Sequence, residues 1–392
     1  MGPEPERKQR MTSPYDSLGP EAFWRSAVAE GAPFEDAALY RPRFEITPET
    51  ALFTAGSCFA QHVTQALRAA KCNVIDTEPR PFILPDHVGR RFGYGLYSAR
   101  FGNIYTLRQF RQLVAEAAGD WAPAGAIWQR GEAVFDALRP SVEPEGFGSV
   151  EALRKSRSFH LEAVREGLAK AEVFIFTLGL TECWEDRVSG TVYPTAPETI
   201  AGQFDPDLFA FRNLSFGDHL ADFKALLDGL AGFCAQPKFL FTVSPVPLTA
   251  TASGTHVLPA TTYSKAVLRA FAGEAQAASE AVDYFPAYEL VTGPSADHGP
   301  RFEPNLRSVA PATVARVMAR FFAAHGLAQG SASADAKRIE EAEDPLCDEL
   351  LLEALASLRS WPSSDRPMSS RCMPRAQPSS KPIRMWRRGS LR

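Results

Sequence analysis

Ala51-Leu52-Phe53-Thr54-Ala55-Gly56-Ser57-Cys58-Phe59-Ala60 is the stretch on which the fold turns. An apolar run interrupted only by Thr54 ends at a glycine, and an amphipathic run begins at Gln61. Phe59, Val63, Ala66 and Leu67 share one face of a helix over 58–70. A strand over 51–55 therefore passes directly into a helix. Such a turn delivers its side chains to the helix N-terminus, where unpaired N–H groups and the dipole favour a thiolate, an alkoxide or a bound anion. Two nucleophile types, Ser57 and Cys58, stand side by side there, as at the strand-to-helix nucleophile turns of hydrolases.

Outward from this turn the same order repeats. Val74-Ile75 reads as a short strand, and the apolar runs at 173–178, 239–243 and 282–286 as longer ones. Helices are expected at about 107–118, 150–170, 218–234, 262–279 and 311–325. Apolar runs of strand length are buried on both faces, which predicts an α/β three-layer fold, a parallel sheet flanked by helices. Ligands of such sheets sit beyond the carboxyl ends of the strands. The segments there read Gly56-Ser57-Cys58, Gly179-Leu180-Thr181-Glu182, Ser244-Pro245-Val246-Pro247 and Ala287-Tyr288-Glu289, all polar or turn-forming.

Three parts are expected: an N-terminal arm over 1–48, an α/β domain over 49–327, and an extension over 328–392, disordered and basic from about 357. Phe23-Trp24 and Tyr40–Phe44 are the residues that would pin the arm to the core. The chain is 45% hydrophobic, rich enough for a large core, and carries a net charge of −4, which gives no reason to expect nucleic-acid binding. Nine Lys/Arg against the single Asp365 from Arg359 onward leave that end at +8 and the remainder at −12. The six cysteines are scattered without metal-ligand spacing, no run reaches membrane-spanning length, and no secretory leader is visible. A reduced cytoplasmic protein without metal or cofactor is the expectation.

Several further segments, read in order, carry a resemblance. Besides Gly-Ser-Cys-Phe-Ala at 56–60, they are Ser-Ala-Arg-Phe-Gly-Asn-Ile-Tyr-Thr at 98–106, Thr-Leu-Gly-Leu-Thr-Glu at 177–182 and Thr-Val-Ser-Pro-Val-Pro-Leu at 242–248. His256-Val257-Leu258, Tyr263-Ser264-Lys265 and Tyr284–Glu289 complete the set. Together they resemble the GSCFA family, and the resemblance implies a place among SGNH/GDSL-like hydrolases with a flavodoxin-like sheet. In that register Cys58 takes the place of the superfamily serine and Ser57 that of its aspartate. Asn103, after Gly102, matches the glycine block, and Thr181 stands where the superfamily has asparagine.

The expected chemistry is acyl-ester hydrolysis or O-acyl transfer on a saccharide or other small ester. Cys58, or alternatively Ser57, attacks; Asn103, Thr181 and backbone N–H groups hold the oxyanion. The Asp-x-x-His of the superfamily is missing from 303–308, so His256, aided by Glu182, is the first choice of base. His298 is its nearest competitor and His160 a further candidate, while His62, four residues after Cys58 on the same helical face, could only orient. Gly56, Gly102, Arg100, Ser244 and Glu289 are read as substrate-binding, Arg100 for its bidentate reach. In a second reading the hydrolase fold is catalytically degenerate and serves as a ligand-binding module. Each residue also has a plainer role: Cys58 as a small core residue, Ser57 as a helix cap, and Thr181 as a cap on the next segment.

Overall fold

The computed structural model describes residues 13–294 and 299–328, all within the first of two compact units, 1–353; the second, 354–392, holds the whole basic end and lies outside the described residues. The chain runs through β1 (Leu52–Gly56), α1 (Cys58–Ala69), α2 (Asp86–Arg91), α3 (Leu107–Ala118), β2 (Ile127–Arg130), β3 (Ala133–Asp136), α4 (Val150–Lys170) and β4 (Val173–Leu178). It continues through β5 (Glu182–Asp186), β6 (Val192–Tyr193), β7 (Phe209–Asn213), α5 (Phe216–Leu230), β8 (Lys238–Val243), α6 (Val257–Ala278), β9 (Val282–Tyr284), α7 (Ala287–Thr292) and α8 (Pro311–His325).

The main sheet is parallel, in the order β1-β4-β8-β9. Val74 bridges Leu52 in parallel on the free side of β1, so the short strand expected at 74–75 is a single bridge. Counting it, the order is the doubly wound 2-1-3-4-5, whose switch point lies between β1 and β4. On one face Phe53, Phe174, Phe176, Phe239 and Phe241 pack under α3, α4, α5 and α6. On the other, Leu52, Ile175 and Leu240 pack under α1, α7 and α8. Every residue of β1 and β4 is buried, as a strand covered on both faces requires. The fold is the three-layer α/β arrangement read from the sequence.

Tyr40 joins the second core, and its hydroxyl donates to Asp283 Oδ2 at 3.0 Å. Phe23 and Trp24 are exposed and do not pin the arm; Phe34 and Ile46 are buried in their stead. Two small antiparallel units were not anticipated: the hairpin β2–β3, and a three-stranded sheet in the order β6-β5-β7. Glu182 therefore opens a strand instead of lying in a loop. The aromatic stretch around Trp128 and Phe135 forms a small core of its own with Tyr193. α5 begins at Phe216 because Ser215 and Asp218 form a capping box. α6 begins at Val257, earlier than expected; Pro259 falls in its first turn, where no N–H is needed.

Candidate functional site

The carboxyl ends of β1 and β4 meet at the switch point, and backbone contacts hold three segments together there. Ser57 N–H donates to Thr177 O at 3.1 Å, Ile104 N–H to Gly56 O at 2.9 Å, and Gly179 N–H to Tyr105 O at 3.1 Å. Gly56 has φ 138°, and a methyl group on it would lie 2.7 Å from Thr177 N and 2.9 Å from its Cα. Only glycine permits this approach. A methyl on Gly179 would stand 2.9 Å from Ser57 Cβ. The Gly56-Ser57-Cys58, Gly102-Asn103 and Gly179-Leu180-Thr181 segments are thus brought together as the sequence implied.

Cys58 is the first residue of α1, buried and outside any disulfide. Ser57 is the N-cap in extended conformation, but its hydroxyl caps nothing: Oγ is buried and has no hydrogen-bond partner. An orphaned hydroxyl of this kind costs about 1–3 kcal/mol. Burial pushes the thiols of Cys72 and Cys234 up, and that of Cys183 to about 12, which makes them poor nucleophiles near neutrality.

Asn103 is held from one side. Its Oδ1 accepts from Tyr97 O–H at 2.6 Å and from Gln61 N–H at 3.1 Å, while Gln109 Nε2 donates to its backbone carbonyl at 2.9 Å. Gln61 lies one helical turn beyond Cys58 on α1. The amide oxygen is thus committed twice, which fixes the orientation of the Asn103 side chain. Tyr97 O–H lies 3.1 Å from Ser57 O, which ties the arrangement to the N-cap. Neither Tyr97 nor Gln61 was singled out from the sequence. The signal was faint: Gln61 is a polar residue at a position where α1 is otherwise turning into the core.

Other expected site residues are spent on the fold. Thr181 Oγ1 donates to Asn213 Oδ1 at 2.6 Å, and its N–H donates to Ser264 Oγ at 3.0 Å, so it braces β5–β7 and α6 and offers no hydroxyl to an oxyanion. Arg100 does not face a ligand: its guanidinium donates to Phe92 O, Val142 O and Glu143 Oε1 and lies over the Tyr94 ring. Glu289 is bound through one oxygen to Arg269 Nε at 2.6 Å and through the other to Tyr284 O–H at 2.7 Å. Ser244 is buried, and its Oγ accepts from Val246 N–H within the turn after β8. Gly102 has φ 71° and supplies the turn before Asn103. Glu182 accepts from Thr251 O–H at 2.7 Å.

The histidines sort in the same way. His256 is exposed at the N-cap of α6, with Nδ1 accepting Leu258 N–H at 3.1 Å; as the shuttle it is replaced by a capping role. His160 is buried on α4 against Glu78, and burial with the Arg139 charge holds its pKa well below the ordinary value. His219 is buried with both ring nitrogens unpartnered, and His325 lies beside the Tyr40 hydroxyl. His87 is exposed on α2. His62 stays on α1, four residues after Cys58, edge-on to Phe59. Asp297-His298 lies outside the described residues. Among the described residues no cluster of three metal-ligating side chains occurs, and no helix is long and apolar enough to cross a membrane.

Fold and edge together define a three-layer α/β protein with Ser57 and Cys58 at a helix start on its switch point. The chain belongs to the GSCFA family, whose model matches residues 51–321. No curated protein and no solved structure matches it.

Proposed function

We propose that this chain is an SGNH-like acyl-ester hydrolase or O-acyltransferase acting on a saccharide or other small ester. The observation that carries the reading is the buried, unpartnered Ser57 hydroxyl beside Cys58 at the start of α1, with Asn103 tied to the same N-cap through the Tyr97 hydroxyl. A donor oriented before the substrate arrives is what a developing oxyanion requires. Cys58 thiolate adds to the acyl carbonyl, and Asn103 N–H, the Ser57 hydroxyl and the α1 N-terminus take up the negative charge. The tetrahedral adduct collapses to a thioester as the alcohol leaves with a proton from the base. Water or an acceptor hydroxyl then attacks the thioester, giving its proton back to the base and restoring the thiolate. The base is sought between His298, the next choice after His256, and His62, which lies on α1 four residues after Cys58.

The test is twofold. Cys58 should be alkylated by iodoacetamide faster than Cys72, Cys183 and Cys234, and turnover of p-nitrophenyl acetate should vanish in Cys58→Ala while surviving in Cys234→Ala. One of His62→Ala and His298→Ala should lower turnover by about 10²–10⁴. Slow, uniform alkylation with no turnover sinks the reading. Thr181 and His256 being spent on the fold favours the second reading, a ligand-binding module; rapid alkylation of Cys58 without ester turnover would select it.

A further inference from the structure

The connection from the 74–75 strand leaves the sheet at the same carboxyl edge as Ser57 and Cys58, and it carries an unusual turn. Leu84 N–H donates to Pro81 O at 2.9 Å, so Pro81-Phe82-Ile83-Leu84 is a hydrogen-bonded β-turn. Its two central positions, ordinarily taken by Gly, Asn, Asp or Ser, are Phe82 and Ile83, which are 99% and 90% exposed. Pro81 and Pro85 bracket the turn and fix φ at both ends, which restricts its folding back. Two large apolar side chains held wholly in water stabilise nothing within the chain.

The charge around this tip is one-sided. Arg80 is paired with Asp86 at 2.8 Å, which leaves Arg90 and Arg91 on α2, both exposed and neither in an ion pair among the described residues. A further exposed large apolar residue, Leu258, stands at the start of α6, in the connection that leaves the carboxyl end of β8. A protruding apolar tip beside unpaired arginines fits the interface of an anionic bilayer, where apolar groups enter the headgroup–acyl boundary and cations stay with the phosphates. A protein partner would instead be met by a flat or concave patch with its own apolar core.

We infer that the Phe82–Ile83 turn is an interfacial anchor that sets the carboxyl edge of the sheet against an anionic lipid surface, lying on the bilayer without spanning it. Vesicle binding reads no turnover, so this inference stands or falls separately from the acyl-transfer reading. The full chain should co-sediment with phosphatidylcholine–phosphatidylglycerol vesicles, and the F82S/I83S variant should bind at least tenfold more weakly. The R90Q/R91Q variant should lose the preference for anionic over pure phosphatidylcholine vesicles. The basic stretch from Arg359 is present in all three proteins, so the differences report the turn. All four substituted positions are exposed, and unchanged far-UV circular dichroism verifies folding. Equal binding of wild type and F82S/I83S overturns the inference, as does absence of wild-type binding. A change in sedimentation velocity of F82S/I83S without any vesicle effect also overturns it, by assigning the turn to a second copy of the chain.

Discussion

Replacing Gly56 by alanine tests whether the switch point is as tight as the geometry implies. Two costs combine. The backbone φ of 138° is one that L side chains rarely adopt, a strain of about 1–3 kcal/mol. The added methyl would lie 2.7 Å from Thr177 N and 2.9 Å from Thr177 Cα, in the middle of the β1–β4 ladder, where relief needs backbone movement and overpacking costs about 1–3 kcal/mol. Together about 2–6 kcal/mol is expected, a fall in Tm of roughly 5–15 °C for a domain of this size. Two companions separate the contributions. Gly179→Ala has no positive φ but places its methyl 2.9 Å from Ser57 Cβ, so packing alone acts. Gly190→Ala has φ 70° with nothing within 4 Å, so conformation alone acts, at about 1–2 kcal/mol. Thermal melts followed by circular dichroism should rank Gly56→Ala as the most damaging of the three. A Gly56→Ala protein that melts no lower than Gly190→Ala would refute the close approach and, with it, the fixed placement of Ser57 and Cys58.

Burial, opposed by Asp218 and reinforced by Arg108, lowers the His219 pKa from 6.5 to about 4. Between those values the unfolded chain binds more protons, so stability declines as pH falls through that window, by about 2 kcal/mol between pH 7 and 4.5; His219→Leu should flatten the decline and raise Tm at pH 7, and an unchanged slope would exclude His219 as its source. Burial would raise the Asp136 carboxyl, but the Arg157 and Arg139 guanidiniums hold it at about 2; Asp136→Asn removes the charge shared by both buried arginines, leaving Arg157 with Glu116 and Arg139 with the more distant Glu78, and should cost up to about 3–5 kcal/mol in urea unfolding, and a loss under 1 kcal/mol would contradict the pairing. Tyr97→Phe removes the 2.6 Å bond to Asn103 Oδ1; if Asn103 is an oxyanion donor, ester turnover should fall roughly tenfold while Cys58 alkylation stays fast, and parallel loss of both would reassign Tyr97 to holding the helix start.

The parallel sheet is legible because its strands are buried on both faces and must be written as unbroken apolar runs: Val173–Leu178 and Lys238–Val243 leave no other reading. The antiparallel additions are not. β5 reads Glu-Cys-Trp-Glu-Asp, with only Cys183 fully buried, and its partner β7 is half-buried at its first three residues and exposed at Arg212 and Asn213. Short, half-solvated strands carry too weak an alternation to stand out from loop. Of the two expected pins of the arm only the second holds: Phe23-Trp24 stays exposed, whereas the Tyr40 hydroxyl and the Arg43 N–H both reach the buried acceptor Asp283.

At the site, residue type and position were readable but hydrogen-bond accounting was not. Thr181, Arg100, Glu289, Ser244 and His256 are polar residues in the expected connections, and each has its relevant donors or acceptors taken up by a neighbour far away in sequence or one turn along. Nothing local marks them as saturated: Arg100 is satisfied by a residue 43 positions on, and Glu289 by one 20 positions back. Asn103 and Ser57 differ by the same bookkeeping. The Asn103 amide is fixed through its oxygen, and the Ser57 hydroxyl is fixed through nothing, although both are buried at the switch point. Among the described residues Thr54, Thr177 and Thr242 on the sheet share this condition, but Ser57 alone holds its unpartnered hydroxyl at the start of the Cys58 helix, where a ligand oxygen would remove the cost. If Ser57 is a donor to the oxyanion, Ser57→Ala should leave stability unchanged or slightly raised while weakening turnover, whereas a clear loss of stability would show that the hydroxyl already has structural work.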